Sequence, residues 1–253
     1  SGCAAVAFVM HPTSVEEVRF VARRGGMTLF LTGEGATLSL HPPRRASSAD
    51  MPIGPRHESD AETSGHVTDE ASEPDAVVRM KVAGGREVAP VGSDLLVTKS
   101  NYFVGSDPTR WRTKVANYGR VTYPGVLDGV DLVFHGEDGQ LEYDFVVAPG
   151  ADPKAIALDV EGATGLSLTA TGDLRMETAR GPLVQPRPRV YQRGDDGNER
   201  DVEAGYRLVG ERSVGFVVAS YDRERELVID PVLAYSTYLG GTASESASAI
   251  AVD

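Results

Sequence analysis

Short segments in which apolar and polar residues alternate, each closed by glycine, proline or an Asp/Asn-rich turn, run along nearly the whole chain. The 28 glycines and 15 prolines that punctuate it leave little room for a long helix. Alternation with period two sends successive side chains to opposite faces of an extended strand, so each segment reads as a strand with one face on a core. Val18–Ala22, Met27–Thr32 and Ala36–Leu40 open the series around Arg24-Gly25-Gly26 and Gly33-Glu34-Gly35. Val77–Val82, Tyr118–Tyr123, Val130–Phe134 and Gln140–Val147 follow, and then Leu166–Leu168, Leu174–Glu177, Arg189–Gln192, Gly205–Leu208, Val214–Val218 and Leu227–Ile229.

Strands at this spacing predict an all-β fold, an antiparallel β-sandwich-like module built as one unit or as two small sub-sandwiches. At 253 residues either arrangement fits. Glu137-Asp138-Gly139 carries the Asp-Gly signal of a tight hairpin turn. The strand after it puts Leu141, Tyr143 and Phe145 on one face and Glu142 and Asp144 on the other. Asp107-Pro108 and Asp152-Pro153 read as one-turn helical corners, with Asp as cap and Pro at the first helical position.

From Arg44 to Ala76 the character changes. This stretch holds eight acidic residues against three arginines and no aromatic or leucine, so it is expected to be a disordered acidic insertion that cannot offset its ordering entropy by burial. Much of the net charge of −12 therefore lies outside the folded strands. An acidic chain argues against non-specific nucleic-acid binding, which needs clustered Lys and Arg. No apolar run reaches the length of a membrane helix. Cys3 is the only cysteine, which excludes an intrachain disulfide and a cysteine-based zinc site. Ser1-Gly2-Cys3 would suit a lipoprotein anchor only behind a signal segment.

The C-terminal run Leu227–Gly241, with Ala249–Asp253, resembles the opening of an SBBP repeat, a family named for the β-propeller its repeats are proposed to build. Upstream, Asn101–Gly105 with Trp111, Gly129–Phe134, Leu141–Phe145 and Pro149–Pro153 resemble the uncharacterised domain that precedes those repeats in bacterial surface and secreted proteins. One departure stands out: that domain opens with a Phe-x-x-Asn-x-Gly-Gln type motif, where this chain reads Phe8–Thr13. The resemblance implies an extracellular or cell-surface location. It divides the chain into an N-terminal segment (1–17), a β-rich module (18–230) and the first strand of a propeller repeat (231–253), with a junction at Asp230-Pro231. The expected partners are downstream β-propeller repeats of the same polypeptide, or a surface glycan or protein.

No Gly-x-Ser-x-Gly elbow, His-Glu-x-x-His or phosphate loop is present, so no catalytic residue and no metal ligand is assigned. The expected function is a non-catalytic module that caps or anchors the propeller. The alternative is a carbohydrate-binding or glycan-active domain, for which the candidate binding residues are Tyr102, Trp111, Tyr118, Tyr123, Asp131, Glu142 and Asp144. Exposed aromatics stack on sugars, and paired carboxylates can serve a glycosidic bond. The plainer expectations are that the aromatics, Trp111 among them, lie in the core, that the carboxylates sit on a solvated strand face, and that His135 belongs to a turn at a strand end. No cofactor is expected. Calcium is the one ion with plentiful ligands, in Asp195-Asp196-Gly197-Asn198-Glu199. Arg193-Gly194-Asp195 spells an adhesion tripeptide but sits in hairpin-turn sequence.

Overall fold

The computed structural model describes residues 6–10, 18–24, 26–41, 75–103, 106–137 and 140–233. Nineteen strands carry the fold among them. These are β1 (Phe8–Met10), β2 (Phe20–Arg24), β3 (Met27–Leu31), β4 (Ala36–Leu40), β5 (Ala76–Val82), β6 (Val91–Tyr102), β7 (Arg112–Leu127), β8 (Val130–Glu137), β9 (Gln140–Val147) and β10 (Ala157–Glu161). Then come β11 (Gly165–Leu168), β12 (Leu174–Thr178), β13 (Gly181–Gln185), β14 (Arg189–Arg193), β15 (Glu199–Asp201), β16 (Ala204–Leu208), β17 (Ser213–Val218), β18 (Leu227–Asp230) and β19 (Val232–Leu233). The two Asp-Pro corners are single 3-10 turns, and Asp107 and Asp152 each accept from the backbone N–H two residues on. No helix among the described residues is long and apolar enough to cross a membrane.

Sixteen strands form one antiparallel sheet in the order β15-β14-β18-β9-β8-β7-β1-β2-β3-β4-β5-β10-β17-β16, with β19 also on β9 and β6 also on β7. The sheet folds over on itself. A chain of aromatic contacts shows this: Tyr123 meets Phe134, which meets Tyr143, then Phe145, and Phe145 crosses to Phe216 at 5.7 Å between ring centroids, with Tyr206 beyond. The β7-β8-β9 limb thereby faces the β17-β16 limb, which makes the all-β sandwich-like architecture. Each such pair adds about 0.5–1.5 kcal/mol beyond its area term. Leu141, Tyr143 and Phe145 are buried on this inner face, as their period-two spacing requires. A three-stranded sheet, β11-β12-β13, covers one side of the core with Leu174, Met176 and Leu183. Tyr143 Oη donates to Gln185 Oε1 at 3.3 Å and joins the two sheets.

The folded unit starts earlier than the expected boundary at 18. β1 lies between β7 and β2, Phe8 is fully buried, and Val6 fills the space beside Gly136 where a Cβ would otherwise sit. It also ends later than Asp230: β19 pairs Val232 with Glu142 and Leu233 with Leu141, and Leu233 is buried. Residues 234–253, the bulk of the expected propeller strand, lie outside the described residues, as do 42–74 of the acidic insertion. The far edge of that insertion is structural. Ala76 is buried in β5, and Asp75 accepts from Ser39 Oγ at 3.0 Å and from His41 Nδ1 at 2.9 Å.

Candidate functional site

β8 and β9 follow one another in the sheet, and their ladder pairs Glu137 with Gln140, His135 with Glu142, Val133 with Asp144 and Asp131 with Val146. On the other side of β8, Arg120 of β7 pairs with His135, and beyond β9, Val232 of β19 pairs with Glu142. Arg120, His135, Glu142 and Val232 therefore form one cross-strand row, with Asp144 diagonal to His135. Direct neighbours in such a row have Cβ atoms about 5 Å apart, and diagonal ones remain in reach of long side chains.

This row faces away from the aromatic core, yet it is not a solvated face. His135 and Asp144 are buried, and the side chain of Glu142 is only 12% exposed. His135 Nε2 donates to Asp144 Oδ2 at 2.9 Å, and Nδ1 lies 3.9 Å from Glu142 Oε2. Burial opposes a charge on the imidazole. The hydrogen bond and the charge of Asp144, helped by Glu142 and opposed by Arg120, outweigh it and hold the His135 pKa above the ordinary histidine value. Asp144 Oδ1 is buried without a hydrogen-bond partner. These findings correct two expectations. His135 sits inside β8 rather than at a turn, and Asp144 is a buried partner of an imidazole rather than a solvated carboxylate.

Histidine with a carboxylate partner is half of a nucleophile-activating device. No serine, threonine or cysteine hydrogen-bonds to His135 among the described residues. The cluster can hold a proton and tie three strands together.

The remaining sequence candidates are dispersed. Asp131 lies at the other end of β8, where its Oδ1 accepts from Gly125 N at 2.7 Å and staples the irregular end of β7. Tyr123 is buried and its Oη donates to Gly35 O at 3.2 Å, with its pKa raised by burial. Tyr118 is half-buried and packs edge-on against Phe20 at 5.7 Å. Tyr102 is half-buried in β6, paired with Arg112. Trp111 departs from the expected core position: it is 38% exposed and meets the exposed ring of Phe103 edge-on at 5.2 Å. The site that the structure does assemble is thus Glu142 and Asp144 around His135 and Arg120. Its two added members were implicit in the hairpin register.

The calcium-like loop is already neutralised by arginine. Asp195 takes both terminal nitrogens of Arg225 at 2.8 and 2.7 Å, Asp196 meets Arg200 at 3.3 Å, and Glu199 meets Arg189 and Arg193. No group of three or more His, Cys, Asp or Glu side chains is placed to hold a metal among the described residues. A cleft of about 230 Å³ at one end of the sandwich is lined by Glu34, Lys81, Arg86, Glu87 and Tyr123, but Lys81 is paired with Glu34 and Arg86 with Asp128.

A family model described as a domain of unknown function (DUF7948) matches residues 8–232. No curated protein and no solved structure matches the chain.

Proposed function

We propose that this chain, which belongs to the DUF7948 family, is a non-catalytic extracellular module that braces a β-propeller following it in the same polypeptide. The observation that carries the reading is the exit strand. After β18 the chain does not leave the sheet: Tyr143 N donates to Pro231 O at 3.4 Å, and β19 continues along β9 with Leu233 in the core. A strand hydrogen-bonded to an interior strand transmits orientation and force better than a loose linker does. The likeness of Leu227–Gly241 to an SBBP repeat supplies the identity of what is braced. The buried His135 cluster, which ties β7, β8 and β9 together, fits a structural role.

A glycan-binding role has less support, because the core takes Tyr123 and Phe20 covers Tyr118. Only the exposed Trp111–Phe103 pair favours it. The bracing role is tested on the full-length protein by calorimetry. The module and the first repeat are expected to unfold in one transition, and Leu233→Asp is expected to split it in two. Two transitions in the unmodified protein, indifferent to Leu233→Asp, would overturn the proposal.

A further inference from the structure

The β6–β7 hairpin leaves the body of the molecule as an arm. β1 pairs with β7 only at Asn117 and Tyr118, and β8 pairs only from Arg120 onward, so among the described residues Arg112–Ala116 of β7 have β6 as their sole ladder partner. Every residue of β6 is exposed or half-buried. Large apolar side chains nevertheless line the arm: Val97 is 99% exposed, Leu95 63%, Phe103 62%, and Trp111 stands beside Phe103. Monomeric proteins seldom leave such a set in water without a use for it.

Charge narrows the choice of partner. From Thr98 to Ala116 the sequence holds Lys99, Arg110, Arg112 and Lys114 against Asp107 alone, net +3 (4 − 1) in a chain of net −12. On the body, Lys81, Arg86, Arg175, Arg189, Arg193, Arg200 and Arg225 are ion-paired, while others such as Arg79 and Lys154 form no ion pair among the described residues. Lys99, Arg112 and Lys114 form no ion pair among the described residues. The backbone narrows it further. The ladder shifts register twice, between Leu95 and Lys99 and between Ser100 and Tyr102, and Asp94 and Lys114 adopt positive φ of 54° and 59°. A bulged, twisted edge is a poor template for an added strand, so the partner must read side chains rather than main chain.

We propose that the β6–β7 arm docks on an anionic lipid surface, with Trp111, Phe103 and Val97 entering the interface and Lys99, Arg112 and Lys114 lying over the headgroups. Tryptophan at the tip and a collar of basic residues are what such a surface recognises. Bare aliphatic side chains such as Val97 and Leu95 have no counterpart in a soluble anionic glycan.

Trp111 is the chain's single tryptophan and reports directly on the arm. Its emission is to be followed in the 253-residue chain as vesicles are added, of phosphatidylcholine alone or mixed with phosphatidylglycerol. A blue shift with protection from iodide is expected only with the mixed vesicles, and the binding should weaken as salt is raised. Lys99→Gln with Arg112→Gln should weaken it roughly 25-fold, about fivefold per charge. Val97→Glu should abolish it without changing the melting temperature, because Val97 packs against nothing, and Arg200→Gln at a remote loop should leave it intact. Any of three results overturns the proposal: no shift, an equal shift with phosphatidylcholine alone, or affinity unchanged by the double substitution. A shift that follows protein concentration without lipid would assign the arm to a second copy of the chain instead.

Discussion

His135 is a buried imidazole beside two carboxylates, with Asp144 at 2.9 Å and Glu142 at 3.9 Å. Its folded-state pKa is raised above the unfolded value of about 6.5. The group therefore contributes stability that is fully present below pH 6.5 or so and is lost as pH rises through the folded value. The groups facing it are Arg120 from β7 and Glu142 and Asp144 from β9. The melting temperature is expected to fall as pH rises above that point, and His135→Gln should flatten the dependence across the same window. A slope unchanged by His135→Gln would mean that another group titrates. His135→Leu, which leaves Asp144 buried beside an apolar side chain, should cost about 3–5 kcal/mol, as for breaking one side of a buried pair.

At the scale of elements, what was legible depended on whether a strand carried a local signal. β8 and β9 are readable from their alternation; the Asp138-Gly139 turn signal between them lies outside the described residues, and the β8–β9 register places His135 opposite Glu142. Alternation by itself assigns the charged row to water, because period two distinguishes faces but not what covers them. β6 and β15 carry no such signal. β6 is exposed along its length and has no apolar face to declare it, while β15 is three exposed residues held by pairing to β14. Gly162, between β10 and β11, shows a constraint that only the packed structure reveals. Its φ is +85°, and a Cβ there would run into the carbonyl oxygen of Val77 on β5. Gly162→Ala is expected to destabilise by more than about 1 kcal/mol, since the left-handed conformation and the collision add. A lowered denaturant midpoint with an unchanged slope would show it.

For the whole molecule, the order of strands in the sheet decides how the chain behaves when cut. The sequence leaves one domain and two sub-sandwiches equally open, because alternation along single strands does not tell which strands neighbour one another. The topology resolves this. β1 to β4, all before residue 42, lie between β7 and β5, so the N-terminal segment is the middle of the large sheet and not a lobe beside it. β4 pairs with β5 from Ala36 with Met80 to Leu40 with Ala76, across the connection that holds the acidic stretch, and β1 pairs with β7 on the far side. Phe8, Leu29, Leu31, Leu38 and Leu40 are fully buried in the shared core. A chain cleaved at a protease site placed between 42 and 74 should therefore keep both fragments together through two ladders and a common apolar interior. Size-exclusion chromatography without denaturant is expected to show one particle of unchanged mass, with the fragments separating only when the core unfolds. Separation under native conditions would mean that β1 to β4 form an independent unit, against the pairing that places them at the centre.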